Sequence, residues 1–347
     1  MLKQPKHILV IRLSAMGDVA MVVPVLRAFS QKYPEVKITV LTRAFFAPFF
    51  RDLNNITVYP VEVKTKHKGV FGLYKLSKEL KRLNTSTPLS TGIDAIADLH
   101  NVLRSNLLKL FLRGKPWIQI DKGRTEKKAL VSGKKFEQLK TTHQRYADVF
   151  NKLGFTIDLS NPSFPEKADL NSKTRTFIGD SSKKRIGIAP FAAHEGKMYP
   201  LDLMKEVIKV LSKDYNIVLF GGGKKEIDIL NNIENDQENV VSAAGKLSLN
   251  EELNVISNLD IMLSMDSGNA HIAAMLGIKV VTIWGVTHPF AGFAPFNQPK
   301  DYMLLANRQQ FPKIPTSVYG NTYLEDYKDV AGSISPKTVI NKITSII

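Results

Sequence analysis

The 347-residue chain contains no cysteine. Disulfide frameworks, thiolate metal sites and cysteine nucleophiles are therefore excluded, and a cytoplasmic setting is expected. Long apolar runs are missing as well. The nearest approach, Val19 to Phe29, is interrupted by Pro24 and Arg27, well short of the ~20 residues that carry a helix across a bilayer. The opening, MLKQPKHILVIRL, has a short apolar stretch broken by Arg12 and reads as a first β-strand, not a secretory signal. Acidic residues are few beside basic ones: 32 Asp and Glu stand against 48 Lys and Arg, a formal net charge of +16. An anionic partner is expected, and nucleic acid, anionic lipid head groups and phosphorylated substrates all satisfy the charge. No helix-turn-helix, finger or stacking motif accompanies the basic residues, which argues against nucleic acid.

What is present is a globular composition, 44% hydrophobic and 23% charged, long enough for two domains at about 150 residues each. Short apolar runs alternate with helical patterns, which indicates βαβ units and parallel sheets, an α/β fold. In the first half, strands are expected at His7 to Leu13, Val36 to Leu41, Ile56 to Val63, Ile93 to Leu99 and Trp117 to Ile120. A helix begins near Asp18, and another, Val102 to Leu112, carries Leu103, Leu107, Leu108 and Phe111 on one face. The scheme restarts at Lys184 to Ala189, with further strands at Ile217 to Phe220, Val240 to Ser242, Ile261 to Met265 and Val280 to Trp284. Ser248 and Glu251 have the spacing of a capping box.

Between the halves, Asp158 to Lys184 holds Pro162, Pro165 and Asn171 without apolar periodicity and reads as a linker. These observations place an N-terminal domain over residues 1–175, a second domain over 176–334 and a C-terminal helix over 335–347 that packs back near the N-terminal domain. Two doubly wound domains would bind ligands at the carboxyl ends of their strands.

Three segments carry chemistry. Leu263 to Ala274, reading LSMDSGNAHIAA, passes from strand through a tight turn into a helix. Helix N-terminal amides, the Ser267 hydroxyl and the small Gly268 suit a phosphate there, although Asp266 as a helix cap and His271 as a packed core residue account for the pattern equally. Ile11 to Val19, reading IRLSAMGDV, is again a strand end, a glycine turn and a helix start. Asp18 is either an N-cap or a general base that takes a proton from an acceptor hydroxyl. Ile188 to Pro200 places Lys197 in a strand-to-helix loop, where its ammonium would neutralise a departing diphosphate or remain a solvated charge.

The order and context of these segments resemble glycosyltransferase family 9, the lipopolysaccharide heptosyltransferases, over most of the chain. Ser14, Met16, Gly17 and Asp18 are similar to the family's S-x-M-G-D, and Asp266 to His271 resembles its D-[ST]-G-x-x-H. Ala97 to Ser105, Ala244 to Ser248 and Trp284 to Pro289 resemble further family segments. The resemblance implies a GT-B fold: two Rossmann-like, doubly wound parallel-sheet domains facing a central cleft.

It also implies an inverting transfer of a sugar, heptose from ADP-heptose, onto a lipopolysaccharide core or related lipid-linked acceptor. Asp18 would be the base, and Lys197, Asp266, Ser267, Gly268 and His271 would hold the donor. Ser14, Met16, Gly17, Arg104, Lys64 and Lys66 would meet the acceptor. No cofactor and no metal ion is expected. Ala192 and Ala193 stand where family members often place hydroxyl residues on the phosphates, and Gly221 to Glu226 is glycine-rich and basic where ribose or base contacts are sought.

Basic and aromatic residues interleave from Lys64 to Lys75, and a second basic run includes Lys122, Arg124, Lys127, Lys128, Lys134 and Lys135. Both suit peripheral contact with the inner membrane at its cytoplasmic face, or a solvated surface. The other readings are a GT-B enzyme with a different donor, transferring another sugar or epimerising a nucleotide sugar, and an inactive sugar-nucleotide-binding protein.

Overall fold

A computed structural model describes residues 4–82, 92–179 and 182–347. The chain divides into two units, residues 1–122 with 142–163, and residues 123–141 with 164–347. The chain therefore passes between units at three places, where a single boundary at residue 175 was expected.

The first unit contains β1 (His7–Ile11), α1 (Met16–Ala20), α2 (Val22–Lys32), β2 (Lys37–Thr42), β3 (Ile56–Pro60), α3 (Gly69–Arg82), β4 (Ala95–Asp98), α4 (Leu103–Phe111) and β5 (Trp117–Gln119). The chain then visits the second unit through α5 (Arg124–Val131) and returns as α6 (Thr142–Lys152). The five strands are parallel in the order β3-β2-β1-β4-β5. The central strands β1, β2 and β4 are buried along almost their whole length and mostly apolar, because both sheet faces are covered, as in other parallel sheets. On one face, Leu73, Leu76 and Leu80 of α3 and Leu108 of α4 pack on Leu9, Ile11 and Ile96. Elsewhere in the unit α2 meets α6, and Phe29 touches the rings of Tyr33, Phe150 and Phe155 at centroid distances of 5.2, 5.1 and 5.1 Å. These long-range aromatic contacts explain why residues 142–163 return to the first unit. Leu103, expected on the packed face of α4, is 76% exposed, because it opens the helix before Ser105 and Leu108 turn inward.

The second unit continues with α7 (Ser172–Arg175), β6 (Arg185–Ala189), α8 (Leu201–Leu211), β7 (Asn216–Leu219), α9 (Lys224–Asn235), β8 (Val240–Ser242), α10 (Leu249–Ser257), β9 (Ile261–Met265), α11 (Gly268–Met275), β10 (Lys279–Trp284), β11 (Met303–Leu305) and α12 (Pro336–Ile346). Its sheet is parallel in the order β11-β10-β9-β6-β7-β8. The three-residue β11 was not expected, since MLL is too short to show a period. Ser248 and Glu251 do form the capping box of α10, with Ser248 Oγ accepting from the Glu251 amide at 3.3 Å and Glu251 Oε2 accepting from the Ser248 amide at 2.7 Å.

Two further placements go beyond the sequence expectation. The C-terminal helix α12 is built into the second unit: Val339 and Ile343 are fully buried in its core, and Lys279 Nζ donates to the Ile346 carbonyl at 3.0 Å. Residues 123–141 also belong to the second unit, because Leu130 and Leu139 cluster with Ala291, Phe290 and Phe293. The basic run there is consequently not one surface: Lys127 is buried, with Nζ 4.1 Å from the centre of the Phe293 ring. No helix among the described residues is long and apolar enough to cross a membrane.

Candidate active site

Each sheet has one place where its strand order reverses, and in doubly wound folds the loops at that place bind ligands. In the first unit it lies between β1 and β4, and in the second between β6 and β9. The three segments singled out in the sequence follow β1, β6 and β9.

In the first unit, Asp18 is not the N-cap of α1. Ala15 is the N-cap and Asp18 occupies the third helical position, where its Oδ2 accepts from the Ala15 amide at 3.1 Å. The same oxygen pairs with the Arg12 guanidinium, while Oδ1 has no partner among the described residues and the side chain is 27% exposed. Arg12 is 7% exposed, and its other terminal nitrogen donates to the Leu99 carbonyl at 2.7 Å. Tyr146 closes the arrangement: its hydroxyl donates to the Asp18 carbonyl at 3.3 Å, and Arg12 lies 5.9 Å from its ring centre. Sequence reasoning missed Arg12. Its signal was a lone cation ending an otherwise apolar strand, since a buried guanidinium needs a counter-ion.

After β4, the Asp98 carboxylate accepts from the His100 and Asn101 amides at 3.0 and 2.8 Å and from Gln119 Nε2 at 2.9 Å. Burial, with the positive charges of Arg12 and Lys122, holds the His100 imidazole down at about 4, so it is neutral at pH 7. Its Nδ1 is buried with no hydrogen-bond partner among the described residues. Ser14, Met16, Gly17 and Arg104 are partly buried on this edge, whereas Lys64 and Lys66 are exposed. Lys66 is occupied by Glu79 at 3.0 Å.

In the second unit, Lys197 and Asp266 come together. Lys197 closes a short 3₁₀ turn (Glu195–Lys197), and its Nζ lies 2.8 Å from Asp266 Oδ2, with the two side chains 14% and 8% exposed. Thr287 Oγ1 donates to the same oxygen at 2.9 Å. Asp266 thus orients a lysine and does not cap α11. The N-cap is Ser267, whose hydroxyl lies 3.1 Å from Ser264 Oγ and makes no bond to its own helix. The first amides of α11 therefore lack a side-chain cap, the arrangement that favours an anion at a helix start. Gly268 opens that helix partly exposed, while His271 is 7% exposed within it.

Two glycines keep Lys197 in place. Gly320 has φ +78°, and a Cβ there would collide with the Lys197 stem at Cγ and Cδ. A Cβ on Gly285 would strike the Gly196 carbonyl oxygen, which accepts from the Val286 amide at 2.9 Å. Gly320 was not identified from the sequence and Gly285 only as part of the Trp284 to Pro289 segment, because both act across more than 85 residues. Glu226, in the first turn of α9, accepts through Oε2 from the amide of Gly222 in the glycine-rich loop after β7, at 2.8 Å.

Comparison with known proteins agrees with this geometry. The chain matches glycosyltransferase family 9 (heptosyltransferase) over residues 87–321, more than half its length. The lipopolysaccharide core heptosyltransferase OpsX of Haemophilus influenzae is 26% identical over 307 residues, which cover 84% of this chain and 82% of that protein. Among solved structures, a glycosyl transferase family 9 from Veillonella parvula is similar with a TM-score of 0.75 at 19% identity, over 98% of this chain and 97% of that one. The E. coli heptosyltransferase WaaC with ADP is similar with a TM-score of 0.66 at 18% identity, over 98% and 97% of the two chains. These two share the fold, two Rossmann-like α/β units of the GT-B type. The reversal-point motifs and the extent of the family match together assign this chain to glycosyltransferase family 9, and it is a glycosyltransferase.

Proposed function

We propose that the chain transfers heptose from ADP-heptose to a lipopolysaccharide core or related lipid-linked acceptor, with inversion at the anomeric carbon. The observation that carries the reading is the Lys197–Asp266 pair beside the uncapped start of α11, a cation and backbone amides at the reversal point where a diphosphate is bound in such folds. The curated relative OpsX is a lipopolysaccharide core heptosyltransferase, and a structural neighbour holds ADP.

In this reaction the acceptor hydroxyl gives its proton to Asp18 as its oxygen attacks the anomeric carbon. Arg12 and the Ala15 amide hold Oδ2, so Oδ1 is the oxygen that takes the proton. The bond from the anomeric carbon to the diphosphate breaks on the opposite face, and its electron pair leaves with ADP. Lys197, Ser267 and the amides at Gly268 stabilise the charge that develops there. His271 supports the helix that carries those amides, and Asp266 with Thr287 aims Lys197. Ser14, Met16, Gly17 and Arg104 border the acceptor, and Lys64 and Lys66 serve its anionic groups from further out. The enzyme works in the cytoplasm, at the inner face of the membrane that holds the acceptor.

A thermal-shift titration against ADP, UDP, GDP and CMP tests the donor. A ligand that binds only the native state adds RT ln(1 + [L]/Kd), about 2.7 kcal/mol at a hundredfold excess over Kd. Selective stabilisation by ADP is expected. A preference for UDP or GDP would overturn the donor assignment, and no response to any nucleotide would overturn the active-enzyme reading.

A further inference from the structure

We infer that the strand-end edge of the first unit is a membrane-insertion surface, in which Phe71 and its apolar neighbours enter the interface of an anionic bilayer. The inference rests on the proposed lipid-linked acceptor but names a separate surface, one outside the groups assigned to catalysis. Helix α3 starts just after the loop that follows β3, on the same edge of the sheet as Asp18. Its inward residues Leu73, Leu76 and Leu80 are buried, while its first two turns present Val70, Phe71 and Tyr74 to solvent at 54%, 90% and 47% exposure. Leu103 opens α4 on the same edge at 76% exposure, and α3 and α4 are tied together by the edge-on contact of Tyr74 with Phe111, 5.6 Å between centroids.

A surface phenylalanine exposed to this degree contributes nothing to the core, and apolar side chains clustered on one edge mark an interaction site. The charge around them selects the partner. Lys68 in the preceding loop and Lys75 in the second turn of α3 are both exposed, so apolar and cationic groups alternate, the composition that binds an anionic lipid surface.

This loop is held rigidly. The buried His67 lies 3.1 Å from Glu79 through Nε2 and accepts from the Glu62 amide at 3.1 Å through Nδ1. Tyr59 donates to Glu79 at 2.7 Å, and Gly72 lies so close that a Cβ would overlap the His67 backbone. Burial pushes the Glu79 carboxyl upward, but the bonds from Tyr59, Lys66 and His67 outweigh it and bring it to about 2. The basic loop and the apolar turn are therefore presented as one fixed surface.

The test is co-sedimentation of the purified protein with vesicles of phosphatidylethanolamine and phosphatidylglycerol, beside pure phosphatidylcholine vesicles. The wild-type protein is expected to partition onto the anionic vesicles and to do so less in high salt. Phe71→Ser, and separately Lys68→Glu with Lys75→Glu, are each expected to weaken partitioning about tenfold or more, since apolar and electrostatic anchors reinforce each other. All these positions are exposed, and transfer to a delipidated, water-soluble acceptor should be unchanged. Phe71→Trp should shift its fluorescence to the blue on anionic vesicles alone. Wild-type protein that ignores anionic vesicles, or Phe71→Ser protein that partitions like wild type, would overturn the inference. Normal partitioning without transfer to any acceptor would instead count against the proposed reaction and leave the surface standing.

Discussion

Lys197 Nζ lies 2.8 Å from Asp266 Oδ2, which joins the loop after β6 to the loop after β9. The pair spans the reversal point of the sheet, where the sequence placed two separate motifs 69 positions apart. If Lys197 holds the donor as proposed, its ammonium is shared between Asp266 and a phosphate when ADP binds. Lys197→Ala is expected to weaken ADP binding at least tenfold, about 1.4 kcal/mol, while adenosine, which lacks phosphates, binds as before. Equal ADP affinity in variant and wild type, measured by calorimetry, would reject the role.

Gly320 supplies an independent way to disturb the same lysine. An alanine there must adopt φ +78° and displace the Lys197 stem, so Gly320→Ala is expected to cost more than about 1 kcal/mol of stability. It should also reproduce part of the ADP loss seen for Lys197→Ala. A variant that is destabilised yet binds ADP normally would show that the glycine serves the loop alone.

Asp18 and Arg12 form the corresponding pair of the first unit. Asp18→Asn is expected to lower turnover by roughly 10² to 10⁴ with nucleotide affinity intact, the signature of a lost general base. Removing either member of this pair should destabilise the fold, and the double variant Arg12→Met with Asp18→Asn should cost less than the sum of the singles. Additive losses in urea unfolding would mean that the two side chains are not coupled.

Much of this was legible in advance, for definite reasons. Parallel strands buried on both faces leave unbroken apolar runs, so Val240–Ser242 and Ile261–Met265 have the observed bounds, and strand-to-helix turns announce themselves through Gly17 and Gly268. What was not legible depends on contacts that periodicity does not show. Arg12 finds Asp18 only because α1 folds back over the end of β1, and Gly320 meets Lys197 from a loop 123 positions later. The docking of α12 was not legible for the same reason: its apolar spacing shows that Val339 and Ile343 are buried, and not against which helix. Helical periodicity grouped Leu103 with Leu108, but a residue at the first helical position has no preceding turn to cover it.

Glu252, partly buried in the first turn of α10, is pushed up to about 7 by burial. Its folded value exceeds that of the unfolded chain, so its contribution is complete below the unfolded value near 4.3 and is lost as pH rises through about 7. Glu252→Gln is therefore expected to gain stability relative to wild type between pH 5 and pH 8 in melting experiments. A difference that does not change with pH would contradict this.

His100 and His288 behave in the opposite sense. Burial, with nearby positive charge, lowers both to about 4, so the stability they permit is complete above the ordinary histidine value near 6.5 and is lost as pH falls toward 4. His288 Nδ1 accepts from the Phe290 amide at 3.2 Å, a bond that His288→Asn can keep. That variant should show a shallower loss of stability between pH 6.5 and pH 4; an unchanged acid limb would assign the loss to other groups.

The most direct measurement of the central claim is acceptor-dependent release of ADP from ADP-heptose, followed by phosphorus NMR with wild-type and Asp18→Asn protein. Release that requires both the heptose donor and a lipid-linked core acceptor, with the variant at least about a hundredfold slower, is the predicted result. Absence of ADP release from the wild-type protein, or equal rates in the two proteins, would contradict the account.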